Sequence, residues 1–255
     1  MKRVLTAAAL IPIVVYAVLW ANFWVFLAVL TAVASLCYRE YAALAAGYGF
    51  GRPGPLGFAA GFLLLVWEGD AWLLVTIVAL LALALAMRSQ DLSQALPRAA
   101  FLVTGVVYIF GCWKCALLLR QQSPHWLMYG LLLSWTGDIG AYYAGRKFGR
   151  HKMAPRVSPQ KSWEGAAASV VTSVLFAVPY LMQFVPGVSL SVAAALTVAA
   201  NAAGQIGDLA ESALKRGAQV KDSGVILPGH GGFLDRVDST LFALPVIYVY
   251  LKLAG

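Results

Sequence analysis

VLTAAALIPIVVYAVLWANFWVFLAVLTAVASLCY, running from Val4 to Tyr38, contains no Asp, Glu, Lys or Arg in 35 residues. A membrane-spanning helix needs about 20 mostly apolar residues, with a range of roughly 17–25. The stretch is too long for one crossing and divides near Ala21-Asn22 into spans 4–20 and 22–38. Working outward, apolar runs recur at 53–67, 71–87, 99–119, 126–145, 164–184, 188–209 and 239–254. The fold class expected is all-α, a polytopic helical membrane protein of about nine transmembrane helices with its N-terminus in the cytoplasm.

Composition agrees. Of 255 residues, 61% are hydrophobic and 12% are charged, against about 25% charged in soluble domains. With mean hydropathy at +0.76, the apolar surface must face lipid, which excludes a soluble enzyme and a disordered chain. The net charge of +8 needs no nucleic acid, because cytoplasmic loops of membrane proteins favour Lys and Arg. With nine spans, 16 of the 19 basic residues fall on the inner side. Only Arg120 and Lys252 lie outside, and Lys114 falls within a span. Deleting the short third span, which opens in the turn-like Gly51-Arg52-Pro53-Gly54-Pro55, reverses that bias, so the span is kept. The first segment follows Lys2-Arg3 and reads as a retained signal-anchor helix, since it runs into a second span without a polar gap. Cys112-Trp-Lys-Cys115 has zinc-like spacing, but no second Cys or His pair completes it.

The halves differ in chemistry. Residues 1–125 hold four acids, Glu40, Glu68, Asp70 and Asp91, and read as transmembrane scaffold. Residues 126–255 hold the other seven acids, two of the three histidines and two long inside loops, 146–163 and 210–237. Asp138 lies within a span, where a carboxylate costs roughly 2.5–3.5 kcal/mol and so faces a polar cavity or a partner on a neighbouring helix. The loop after it, Arg146 to Gly165, is either a stop-transfer cluster on anionic headgroups or a phosphate-handling loop, with Ser158 and Lys161 among its donors. Ser158-Pro159 with Ser162 and Glu164 also resembles a helix start.

In a helical reading, Asn201, Gln205, Asp208, Ser212 and Lys215 form one polar stripe at the end of an apolar span, suggesting a cavity at the cytoplasmic boundary. The glycines at 229, 231 and 232 let backbone N–H groups approach an anion. Asp235 and Asp238 open the last span, where a helix dipole favours carboxylates. Yet they and Asp208 stand beside Lys215, Arg216, Lys221 and Arg236. Mixed carboxylates and cations suit a metal–polyphosphate site holding Mg²⁺. No Walker A sequence is present.

Ser212 to Asp238, 27 residues including Lys215-Arg216, Lys221-Asp222-Ser-Gly224, Pro228-Gly-His230-Gly231-Gly232 and Asp235-Arg-Val-Asp238, resembles the signature of phosphatidate cytidylyltransferases (CDP-diacylglycerol synthases). Asp138–Gly149, Ser-Pro-x-Lys-x-x-Glu-Gly at 158–165 and Gln205-x-Gly-Asp-Leu-x-Glu-Ser resemble that family as well. Gln160 departs from it, standing where the family often has a second Lys. The resemblance implies a dimeric, multi-span enzyme of the bacterial inner membrane. Its implied reaction makes CDP-diacylglycerol and pyrophosphate from CTP and phosphatidate, with Mg²⁺ and in some members a K⁺ companion. It implies Asp208 and Asp235 as metal ligands, with Lys215, Lys221, His230 and Asp238 as further catalytic positions. Arg216, Arg236, Ser212, Ser223, Gly231, Gly232, Asp138, Ser158 and Lys161 are the expected substrate contacts.

Three rival readings stand beside it. A transporter for an anionic solute fits Asp138 but lacks repeat symmetry. A lipid-binding scaffold explains the basic loops but not the acids beside them. A CDP-alcohol phosphotransferase would need Asp-x-x-Asp-Gly, and here Ser239 follows Asp238.

Overall fold

A computed structural model describes residues 2–51, 54–89, 91–226 and 231–254, with side chains from Leu10 onward. Among them the chain forms α1 (Lys2–Leu19), α2 (Phe23–Leu44), α3 (Pro55–Val66), α4 (Ala71–Ala86), α5 (Ala95–Gly105), α6 (Cys112–Gln122) and α7 (Pro124–Phe148). The short strands β1 (Lys152–Ala154) and β2 (Ser158–Ser162) follow, then α8 (Trp163–Phe184), α9 (Leu190–Gly217) and α10 (Asp238–Ala254). The strands pair antiparallel, with Lys152 opposite Ser162 and Ala154 opposite Ser158. The protein is an all-α, multi-pass membrane protein.

The long apolar opening breaks where its one strong capping residue stands. The Asn22 side chain accepts a hydrogen bond from the Val25 N–H at 2.9 Å, which satisfies an orphan donor of the first turn of α2. Helices α5 and α6 join through a π-helical segment, Val106–Gly111, into one apolar rod, Leu92–Gln122. Four apolar helices are long enough to cross a bilayer among the described residues: Phe23–Tyr48, Leu92–Gln122, Trp163–Phe184 and Leu190–Gly217. Length and composition thus license four crossings and do not establish nine. The 12-residue α3 is about 18 Å long, well short of the roughly 30 Å hydrocarbon layer.

The two basic residues that sit apart from the inner cluster have a local explanation. Lys114 Nζ donates to the Leu65 and Trp67 carbonyls, each at 2.9 Å, at the end of α3. Arg120 donates to the Val18 carbonyl at 2.8 Å and to that of Ala21, over the Phe26 ring. Both cations satisfy carbonyls left open at helix C-termini, where the dipole also favours positive charge.

One buried core runs from Val18 and Phe26 through Ile109 and Leu127 to Leu244 and Ile247, crossing the boundary between the expected halves. Around it Trp24, Leu80, Tyr143, Leu175 and Phe176 are exposed, as lipid-facing side chains should be. Helices α7, α8 and α9 approach closely where Gly137 faces Asn201, Ser169 and Ser173, small residues that let backbones meet.

Two local expectations are corrected. Ser158 and Pro159 lie in β2 rather than opening a helix; α8 begins after Ser162, whose Oγ accepts from the Gly165 N–H at 3.2 Å. Helix α9 continues to Gly217, so the expected loop 210–237 begins as helix. The polar stripe keeps its period past the apolar span, and nothing in Ala210–Gly217 breaks a helix before its terminal glycine.

Candidate active site

Helix α9 carries the stripe into place. At its deep end Asn201 Nδ2 donates to Ser169 Oγ and Ser173 Oγ, both at 2.9 Å, and its Oδ1 accepts from Gln205 Nε2 at 2.5 Å. This network ties α9 to α8 beneath a cavity of about 940 Å³ walled by α7, the hairpin, α8, α9 and the start of α10. Asp138 from α7, Asp208 and Lys215 from α9, and Asp235, Arg236 and Asp238 from the approach to α10 all line it. Ser158 and Lys161 of β2 line it as well. Residues 97 positions apart in sequence, Asp138 and Asp235, thus share one chamber.

Its electrostatics fall into two parts. Asp138, Asp208 and Asp238 lie within electrostatic reach of one another and repel. Lys161 Nζ pairs with Asp208 Oδ2 at 2.5 Å, while Asp208 Oδ1 has a long 3.4 Å contact from Ser212 Oγ. Asp208 therefore retains lone pairs for a ligand. Asp235 is held differently. Its Oδ1 takes Lys215 Nζ at 2.5 Å, and its Oδ2 accepts from the N–H groups of Gly232 (2.7 Å) and Ser223 (3.0 Å). Burial pushes the Asp235 carboxyl up, but the Lys215 ammonium and these N–H groups outweigh it and hold it below its ordinary value. Lys215, itself buried, is clamped between Asp235 and the fully buried Glu211 one turn earlier.

Several expected contacts face elsewhere. Gly231 has φ +79°, a left-handed conformation that glycine adopts without strain. The turn it makes directs the Gly232 N–H inward onto Asp235 rather than into the cavity. Ser223 is likewise committed, its Oγ lying 2.9 Å from Glu40 Oε2 and 3.1 Å from Asp235 Oδ2. Arg216 reaches over the outer surface to the carbonyls of Val157 (3.4 Å) and Val220 (3.2 Å). Neither Arg216, Ser212, Lys221, Ser223, Gly231 nor Gly232 lines the cavity. Gly232, Ser223 and Arg216 spend their described donors on the protein's own acceptors. His230 and Gly229 lie outside the described residues.

The cavity also contains groups that the sequence reading left aside: Tyr142, Arg146, Lys152, Gln160 and Asp222. Arg146 and Lys152 stood within a basic loop whose individual members were indistinguishable without the hairpin. Glu211 carried a signal, an acid four residues before Lys215 on one helix face. Glu40 carried none, because its partners lie more than 180 positions away.

Comparison with known proteins adds the lineage. Over 155 residues the chain is 41% identical to a phosphatidate cytidylyltransferase of Staphylococcus haemolyticus (strain JCSC1435), a match covering 60% of this chain and 59% of the relative. It is 37% identical over 156 residues to the protein of that name from Bacillus subtilis (strain 168), covering 60% and 58%. The Staphylococcus aureus (strain COL) protein of that name is 38% identical over 155 residues, again covering 60% and 59%. The chain thus covers less than two thirds of the length of these relatives. A family model described as "Cytidylyltransferase family" matches residues 1–254, and the chain belongs to that family.

Proposed function

We propose that the protein transfers the cytidylyl group of CTP to phosphatidate, giving CDP-diacylglycerol and pyrophosphate. The observation that carries this reading is the chamber itself. A family whose name denotes cytidylyl transfer here has a polar cavity where Asp138, Asp208 and Asp238 face Lys161, Lys152, Arg146 and Arg236. Phosphatidate stays in the bilayer and CTP stays in water, so their reaction needs a site at a membrane boundary. The basic residues gathered around the chamber support a position at the cytoplasmic face of a bacterial inner membrane.

The nucleophile is a phosphate oxygen of phosphatidate, already ionised, so the reaction needs no general base. It forms a bond to the α-phosphorus of CTP as the bond to pyrophosphate breaks. Both reactants are anions, and the protein's task is to neutralise and align them. Lys161, Lys152, Arg146 and Arg236 supply the charge, and the Ser158 hydroxyl a directional donor. Lys215 serves by fixing Asp235, since both of its carboxylate partners hold it in place.

The donor set suits Mg²⁺. No three described His, Cys, Asp or Glu side chains come together as a metal site unaided, but Mg²⁺ is usually held by one or two carboxylates plus water and substrate phosphate. Asp208, with lone pairs to spare among repelling carboxylates, fits as a ligand; Asp235, already saturated on one oxygen, offers less. When bound, the ion would neutralise triphosphate oxygens and ease departure of pyrophosphate. A homodimer and a K⁺ companion rest on the family resemblance alone. Purified protein given CTP, phosphatidate and Mg²⁺ in detergent should release CDP-diacylglycerol and pyrophosphate in equal amounts by mass spectrometry. Folded protein that makes no nucleotide-dependent lipid product would refute the reading.

A further inference from the structure

Glu40 is the one acid of the first 125 residues that is buried, 3% exposed, and it sits on α2 far from the cavity signature in sequence. Its Oε1 accepts from the Phe233 N–H at 3.0 Å, and its Oε2 from the Leu234 N–H at 2.9 Å. Ser223 Oγ lies 2.9 Å from that same Oε2. A buried carboxylate is costly unless hydrogen-bonded, and here every partner among the described residues belongs to the two segments of chain that flank Asp235. Ser223 completes the link, standing between Glu40 Oε2 and Asp235 Oδ2. The backbone around Glu40 is shaped to admit it: a Cβ on Gly224 or Gly232 would collide with its carboxylate.

We infer that Glu40 is a positioning residue for the cytidylyl-transfer site, a peg from the scaffold helices that sets residues 222–226 and 231–235, and hence Asp235 and Lys215, in register with the cavity. The inference rests on the function proposed above for its kinetic consequence, but not for its structural one. Glu40 reaches no cavity surface and acts only through Ser223 and the Phe233 and Leu234 amides. Gln has nearly the same volume but turns an N–H₂ toward one of these donors, leaving it unpaired in a buried setting.

The test uses the full-length protein in detergent and reads amide hydrogen exchange by mass spectrometry alongside turnover. In Glu40→Gln, exchange in peptides covering 221–226 and 231–236 should rise at least roughly tenfold while α7 and α8 keep their protection, since an unpaired buried donor costs a factor of that order or more. The kcat should fall roughly tenfold to hundredfold with the KM for phosphatidate moved less than about threefold, because no substrate contact is lost. Gly224→Ala, which crowds Glu40 without altering it, should reproduce both changes. Unchanged protection of 221–226 and 231–236 in both variants would overturn the inference. So would exchange rising uniformly over the chain with activity lost in proportion to unfolded protein, the signature of a merely structural acid. A wild-type protein that makes no lipid product would sink the proposed reaction, and the exchange comparison would still decide the role of Glu40.

Discussion

Residues 1–125 close two cations on helix carbonyls and, among the described residues, leave only neutral groups, the Tyr38 and Tyr108 hydroxyls and the Trp113 indole N–H, buried without a partner, whereas residues 126–255 gather carboxylates around a chamber. In the first region Lys114 and Arg120 end on helix carbonyls, and the Tyr41 hydroxyl donates to the Phe101 carbonyl at 2.9 Å. In the second, three carboxylates repel one another across a cavity. A polar group inside a membrane protein must be satisfied by something. Where the chain supplies the partner, a charged group contributes stability; a carboxylate that faces the cavity keeps lone pairs open to a ligand. Two groups blur that division: Lys215 is closed yet lines the cavity, and Glu40 belongs to the scaffold yet holds the site's turn.

The comparison is most easily broken at Asp208. Asp208→Asn should cut turnover roughly a hundredfold to a thousandfold, the scale for losing one preorganised electrostatic contact. The melting temperature in detergent should stay within a few degrees, since one repelling charge leaves the chamber as Lys161 loses its partner. Near-normal turnover by folded protein would show that the open carboxylates are not where chemistry happens. The opposite balance is expected at Lys215. Lys215→Met leaves Glu211 and Asp235 as unpaired buried charges and should cost about 3 kcal/mol of stability, read by denaturant titration. Lys215→Met with Glu211→Gln should recover part of that loss, because the two sites are coupled.

A scaffold substitution sharpens the contrast. Arg120→Met removes the donor from the carbonyls of Val18 and Ala21 and should destabilise the protein by about 1–2 kcal/mol. The kcat/KM of the folded enzyme should be unchanged. A selective loss of turnover would mean that the position of α1 reaches the chamber.

What was legible follows from sequence distance. Hydropathy placed most of the described part of each expected span on helix, because an apolar run in lipid must close its own backbone hydrogen bonds, although only four described helices are long and apolar enough to cross. The α9 stripe was readable because Asn201 to Lys215 obey helical spacing. The hairpin was not: Lys152–Ala154 and Ser158–Ser162 are too short to show alternation, and Ser158-Pro159 mimics a helix start. The site's membership was readable as a set of acids and bases, but which of them face the cavity depends on how the Gly231 turn points its N–H groups. Gly232 and Ser223 looked like anion donors and instead serve Asp235 and Glu40. That reversal is a tertiary fact, set by a partner on α2 that no local pattern announces.

The smallest expected effect tests where the chamber's floor belongs. Asn201 lines the cavity yet its amide is spent on Ser169, Ser173 and Gln205, so it should behave as a closed group despite its address. In Asn201→Ala, Ser173 keeps its own donation to the Leu133 carbonyl at 2.8 Å, and Gln205 keeps the Ala166 carbonyl at 3.2 Å. The loss is therefore limited to a few neutral hydrogen bonds and a small void, about 1 kcal/mol. Turnover should remain within about threefold of wild type, because no charge lining the cavity is altered. A fall of a hundredfold at unchanged stability would place Asn201 against the substrate and move the line between closed and open groups one helical turn deeper into the membrane.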